Sequence, residues 1–149
     1  MAVWGIGAYF PAQNKDMSQE FYNIGKIIIG YSEEEHPDYY RLLRSIKAGD
    51  IVFIKARHKM SNYLRIKAIG IATEYQTSKK DGTEEPESVC VSWIKNFIND
   101  KSDKYKFEKE RFVDGSKETI YQERDEKVIK WIAELLKDEE EQEKGKDTK

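Results

Sequence analysis

Alternation between hydrophobic and polar positions predicts that much of this chain forms short β-strands. The clearest segments are "DIVFIKAR", residues 50–57, and "LRIKAIGIATEY", residues 64–75. Successive side chains of a strand point to opposite faces. We therefore expect Leu64, Ile66 and Ala68 on one face and Arg65 and Lys67 on the other. Residues 3–10, 26–31 and 89–97 predict further strands, and Asp114-Gly115 indicates a hairpin turn.

Three segments have the punctuation of helices. Residues 16–25 begin with Asp16 or Ser18 as a helix cap and end at Gly25. Residues 37–48 begin at a proline and end before Gly49. The last helix begins at Asp125, and its apolar positions form one stripe: Val128, Ile129, Ile132, Leu135 and Leu136.

Together these elements predict an α+β fold, a small curved mixed β-sheet or pseudo-barrel flanked by two or three helices. At 149 residues the chain is long enough for one domain with its own core. We assign residues 1–137 to that domain. Residues 138–149 are almost all charged, which predicts a disordered tail that could recruit a protein partner.

Composition narrows the classes of function. Cys90 is the single cysteine, so an internal disulfide and a cysteine-based zinc site are excluded and a reducing compartment fits. We find neither a signal peptide nor a membrane-spanning apolar run, and we expect a cytoplasmic protein. His36 lies among carboxylates, but a helix start explains that stretch better than a metal site. No motif indicates catalysis, a cofactor or a metal.

Charge is concentrated in the middle of the chain. Residues 41–80 contain ten lysines and arginines against two acids, a net of +8, although the whole chain is at −2. Five of these cations follow two predicted strands and their connection: Lys55, Arg57, Lys59, Arg65 and Lys67. Such asymmetry favours an anionic partner, with solvated strand charges as the alternative. His58 lies in the same connection and could contact a ligand.

Aromatic residues supply the second half of a possible site. Trp4 lies on a strand that contains Gly5 and Gly7, Tyr31 follows Gly30, and Trp93 follows Ser92. Glycine inside a strand often marks close approach by another group or a ligand. Flat rings can hold an unstacked base, whereas the alternative is that these residues belong to the core.

Three motifs follow one another in a familiar order. "AGDIVFIKA" at 48–56, "IKAIGIATEY" at 66–75 and "VCVSWIKNF" at 89–97 come after a strand containing Trp4. This order resembles the PUA-like superfamily and, within it, the EVE and YTH-like readers of modified bases. The similarity covers about two-thirds of the chain, from Trp4 to Phe97. Where EVE-type domains have a pocket tryptophan, this chain has Lys26–Ile29.

The resemblance implies a pseudo-barrel whose aromatic pocket receives a flipped or single-stranded modified base, with a basic surface beside it. The leading hypothesis is therefore a non-enzymatic reader of a modified base or nucleotide. An alternative is capture of a free or cyclic nucleotide signal by a regulator of prokaryotic or phage defence. A third is an ASCH-like nucleoside hydrolase, in which Lys55 or Lys67 acts with Glu74.

Overall fold

The computed structural model describes residues 1–56, 62–79, 85–108, 116 and 118–147, the last ten of these by their backbone. Nine strands lie in these ranges: β1 (Val3–Gly7), β2 (Tyr9–Phe10), β3 (Lys15–Asp16), β4 (Lys26–Ile28), β5 (Ile51–Ala56), β6 (Tyr63–Gln76), β7 (Ser88–Asn96), β8 (Lys106–Glu108) and β9 (Ile120–Glu123). Seven form one strongly curled sheet in the order β4-β7-β6-β5-β1-β9, with β8 also pairing with β6. The α+β class with a curved mixed sheet is confirmed.

Both faces of the sheet are covered, which explains the continuous apolar run of β5. One face packs against α1 (Ser18–Ile24) and α2 (Pro37–Ser45), and its buried residues include Trp4, Ile6, Val52, Ile54, Phe21 and Leu43. The other packs against α3 (Glu126–Asp147), and its buried residues include Val3, Ile51, Phe53, Tyr121, Val128 and Ile132. Alternate residues of β1 and β5 thus enter different cores.

A bulge in β6 changes which face its residues occupy. Ile54 pairs with Ala68 but Lys55 pairs with Ile66, so Lys67 is the extra residue on β6. An extra residue bends a strand and shifts its alternation. Leu64 and Ile66 therefore lie in the core beneath α3, whereas Ala68 lies in the opposite core. The expectation that these three residues share one face is wrong for Ala68.

The three predicted helices are present, but α2 ends at Ser45 rather than at residue 48. Gly25 follows α1 in the left-handed conformation, with φ of 66°, a region that favours glycine. Pro37 opens α2, and the Asp125 carboxylate accepts the Lys127 N–H (2.9 Å) at the start of α3. The backbone of α3 continues to Asp147, where we expected a disordered tail from residue 138. Glutamate, lysine and glutamine are strong helix formers, which explains the extension.

Asp50 joins the start of β5 to the start of β1. Its carboxylate accepts hydrogen bonds from the Trp4 indole N–H (2.9 Å), the Ala2 N–H (3.1 Å) and the Lys47 N–H (3.0 Å). Gly49 precedes it with φ of 93°, which a residue with a side chain rarely adopts. Gly49 and Asp50 therefore have a structural role: they hold the starts of β1 and β5 together, at the opposite end of β1 from Gly7.

Two further predictions from the sequence were the hairpin turn at Asp114-Gly115 and the absence of a membrane-spanning helix. The Asp114-Gly115 turn lies outside the described residues. Within the described ranges, no helix combines the length and the apolar character needed to cross a membrane.

Candidate functional site

A cavity of about 620 Å³ lies at one end of the curled sheet. It opens where β1 and β5 end and where β6 and β9 begin. Ten described residues line it: Gly7, Ala8, Tyr9, Asp16, Tyr31, Lys55, Ala56, Arg65, Lys67 and Thr119. Its volume falls in the range of small-molecule sites, roughly 300–1,000 Å³. Four residues predicted from the sequence to contact a ligand therefore share one cavity: Tyr31, Lys55, Arg65 and Lys67.

Lys55 forms part of the wall at the end of β5. Its residue is only 5% exposed, and its ammonium group donates to the carbonyls of Ser116 (2.7 Å) and Glu118. The ammonium also lies 5.7 Å from the ring centre of Tyr121, a distance typical of a cation–π contact. These two bonds hold the Lys55 side chain against the segment that precedes β9.

Arg65 extends from the beginning of β6 toward the neighbouring loop. One terminal nitrogen donates to the carbonyls of Ile98 (2.8 Å) and Asp100 (3.4 Å). The Asp100 carboxylate instead accepts the Ser102 N–H (3.0 Å). Arg65 Nε is buried and has no hydrogen-bond partner among the described residues. A buried donor without an acceptor costs free energy, so this nitrogen is a point of local instability in the structure.

Lys67 and Asp16 form an ion pair inside the cavity. Lys67 Nζ donates to Asp16 Oδ2 (2.6 Å) and to Ser18 Oγ (3.3 Å). Burial opposes ionisation of Asp16, but hydrogen bonds from the Lys67 side chain and from Ser18 outweigh it. The pKa of the Asp16 carboxyl therefore lies below its ordinary value of 3.8. Asp16 is ionised throughout the neutral range, and Lys67 at the bulge of β6 has a fixed direction.

Two tyrosine rings complete the cavity lining. Tyr31 is half-buried, and its ring meets His36 edge-on at 4.6 Å and Tyr39 at 5.9 Å between ring centres. His36 in turn stacks on Tyr39 at 4.2 Å, so Tyr31 is supported from behind. Tyr9 is 53% exposed, and its hydroxyl donates to Asn14 Oδ1. Tyr31 is therefore the better ordered of the two rings.

The structure places the two predicted tryptophans away from the cavity. Trp4 is 4% exposed and donates to Asp50 at the opposite end of β1. Trp93 is half-buried; its indole donates to the Phe21 carbonyl (2.9 Å) and stacks against Tyr22. Both rings pack on the core beneath α1 and α2. Sequence cannot separate these roles, because alternation brings an indole inward in either case.

The other residues predicted to bind a ligand or to act in catalysis are not among the described residues that line the cavity. Arg57, His58 and Lys59 lie outside the described residues. Within the described ranges, no group of three or more histidine, cysteine or acidic side chains could hold a metal ion. Glu74, the proposed partner of a catalytic lysine, lies seven residues beyond Lys67 on β6. At about 3.3 Å per residue, that separation is roughly 23 Å, and Glu74 does not line the cavity.

Sequence reasoning missed Asp16, Tyr9 and Thr119 as parts of the site. The sequence analysis considers Asp16 only as a helix cap, but the cap of α1 is Met17, and Asp16 Oδ1 accepts the Ser18 N–H (2.9 Å) from the residue before it. Thr119 is held beside the end of β1, because its carbonyl accepts a hydrogen bond from the Gly7 N–H (2.7 Å). Gly7 itself was the available signal, because a glycine inside a strand often marks a place that a ligand approaches.

A scan against protein-family models and a search of curated proteins find no significant match to this chain. The functional conclusion therefore depends on the chemistry of the cavity.

Proposed function

We propose that this protein is a non-enzymatic binding module that holds a nucleotide, or a base of a single-stranded nucleic acid, in the cavity at the end of its sheet. The observation that supports this proposal is the composition of the lining. The lining contains three cations (Lys55, Arg65 and Lys67), the carboxylate of Asp16 and the ring of Tyr31. Cations that neutralise phosphates and a ring that stacks a base are the two requirements of such a site.

Charge supports an anionic ligand. The formal charges of the described lining residues sum to +2, whereas the whole chain is at −2. A cavity lined by one sign of charge raises the local concentration of ligands of the opposite sign. Residues 57–59 follow Ala56 in sequence and add two further cations to this part of the chain.

The PUA-like resemblance is part of the proposal. A curled sheet with a cavity between strand ends agrees with the architecture that the resemblance implies. Tyr31, one of the two tyrosines in the cavity lining, follows β4. It is close in sequence to the position at which EVE-type domains have a tryptophan. We further propose a cytoplasmic location, since the chain has a single cysteine.

A second candidate is capture of a free nucleotide signal. The observation that favours it is the bounded volume of about 620 Å³, which suits a ligand of that size. The two candidates differ in one respect: affinity for a strand rises with its length because additional phosphates are contacted, whereas affinity for a mononucleotide reader does not.

Binding titrations test the proposal. We expect labelled single-stranded oligonucleotides, or mononucleotides in calorimetry, to bind with an affinity that falls as salt rises. Replacing Tyr31 with leucine is expected to weaken binding about tenfold, because stacking contributes about 1–3 kcal/mol per base. Indole fluorescence is unsuitable as the readout, since neither Trp4 nor Trp93 lines the cavity.

The matched control is Tyr75→Leu, because Tyr75 is an exposed tyrosine near the end of β6 that is farthest along the strand from Arg65 and Lys67. It is expected to bind like the wild type. The proposal is wrong if modified and plain oligonucleotides and mononucleotides all fail to bind at low salt, or if both leucine variants weaken binding equally.

A further inference from the structure

The residues that line the cavity differ in burial, so the cavity has a buried side and a side that is open to solvent. Lys55 is 5% exposed, and the Lys67 side chain is 12% exposed. By contrast, the Asp16 side chain is 50% exposed and Tyr9 is 53% exposed. The two lysines thus lie on the more buried side of the cavity lining, called the inner wall here, while the carboxylate and one ring lie nearer to solvent.

This arrangement differs from a site in which a base enters first and the backbone remains on a basic surface outside. In such a site the inner wall supplies rings and base-edge partners, and the cations lie at the rim. A base in contact with the inner wall here would meet the ammonium groups of Lys55 and Lys67. A phosphate in the same place would meet the groups that bind it best.

We propose that the cavity takes the phosphate end of its ligand first, and that the ligand is a phosphomonoester: a nucleoside monophosphate or the phosphorylated terminus of a strand. This inference rests on the proposed function and specifies its ligand. A phosphomonoester has a charge of about −1.5 to −2 at neutral pH, which matches the net +2 of the described lining. An internal phosphodiester has a single negative charge.

The hydrogen-bonding capacity of the wall is consistent with this ligand. Arg65 lines the cavity, and a phosphate oxygen is a strong acceptor for a guanidinium. The Asp16–Lys67 pair keeps one cation in place at the bulge. The base would then lie toward Tyr31 and the more exposed Tyr9.

Matched ligands test this inference on the intact protein. Calorimetry would compare one oligonucleotide with and without a 5′-phosphate, and one nucleoside with its 5′-monophosphate and the methyl ester of that monophosphate. We expect the free phosphate group to tighten binding by at least about tenfold in each pair. We expect the methyl ester to lose most of that gain. Comparison of the two ligand sources then shows whether a free nucleotide or a strand end binds better.

A variant locates the effect. Lys67→Gln removes the charge but retains an amide that can donate to Asp16, and we expect the advantage of the phosphorylated ligand to fall about threefold or more. Lys47→Gln is the control, because Lys47 is exposed and lies before the start of β5, whereas the cavity is at the end of that strand. If Lys67→Gln does not fold, the ligand pairs on the wild-type protein decide the question.

The outcomes separate this inference from the proposed function. Equal affinity for phosphorylated and unphosphorylated members of each pair, with affinity set by the base, would overturn the phosphate-first orientation and leave the binding module intact. Binding of inorganic phosphate or pyrophosphate without any nucleotide binding would support the anion wall and contradict the nucleotide proposal. Absence of binding in every arm contradicts both.

Discussion

Replacing Asp50 with alanine is expected to lower the free energy of unfolding by about 3–5 kcal/mol. The substitution removes the acceptor of three hydrogen bonds, from the Trp4 indole and from the Ala2 and Lys47 backbone. Trp4 is 4% exposed, so its indole N–H would be left buried without a partner. Urea denaturation measures the loss. Asp103→Ala is the control, because the Asp103 side chain is 97% exposed.

The loss is expected to depend on pH. Burial opposes ionisation of Asp50, but hydrogen bonds from Lys47, Trp4 and Ala2 outweigh it and hold the pKa of the carboxyl below 3.8. Because the folded pKa lies below the unfolded one, the stabilisation is full above the unfolded pKa and is lost as pH falls through the folded pKa. The two proteins should therefore differ most at neutral pH. A difference that grows in acid would contradict this role.

Replacing Gly5 with alanine is expected to destabilise the fold by about 1–3 kcal/mol, although alanine is the smallest possible addition. Gly5 lies between Phe53 on β5 and Tyr121 on β9. The rings of these two residues meet edge-on above it, with their centres 6.1 Å apart. A Cβ atom here would overlap Tyr121 Cε1 and would lie 2.8 Å from Phe53 Cζ. Tyr121 cannot turn away freely, because its hydroxyl donates to Glu123 (2.9 Å).

Gly7→Ala supplies the matched control two residues along the same strand. Its Cβ would meet only ordinary contacts, the nearest at 3.7 Å from the Thr119 carbonyl oxygen. We expect its midpoint in thermal or urea denaturation to stay close to that of the wild type. Combining Gly5→Ala with Phe53→Leu should cost less than the sum of the two changes, because the smaller side chain makes room for the added methyl. Equal destabilisation by both glycine variants would show that ring packing is not the cause.

The secondary structure was largely predictable because its determinants are local. Pro37 and Gly25 set helix ends through backbone conformations that depend on neighbouring residues. The apolar run of β5 and the stripe of α3 follow from the periods of strand and helix. The sequence also identified Tyr31, Lys55, Arg65 and Lys67 as candidates, and the structure brings these four into one cavity.

The remaining features depend on contacts between distant residues. A bulge cannot be located from one strand, because it is defined by the register against a partner; the pairing of Lys55 with Ile66 creates the extra residue at Lys67. In the same way, Trp4 and Trp93 have the sequence context of ligand-binding rings, yet Asp50 and the Phe21 carbonyl hold their indoles in the core. Asp16 has the sequence context of a helix cap, although Met17 is the cap of α1, and that context concealed its ion pair with Lys67.

The location of a bound nucleotide is the most direct test of the whole account. Amide chemical shifts of the isotopically labelled protein would be followed while a nucleoside 5′-monophosphate or a short single-stranded oligonucleotide is added. We predict saturable shifts concentrated at the cavity amides of Gly7, Ala8, Ala56 and Thr119. Saturable shifts confined to α3 or to another surface, with these four amides unmoved, would contradict the account.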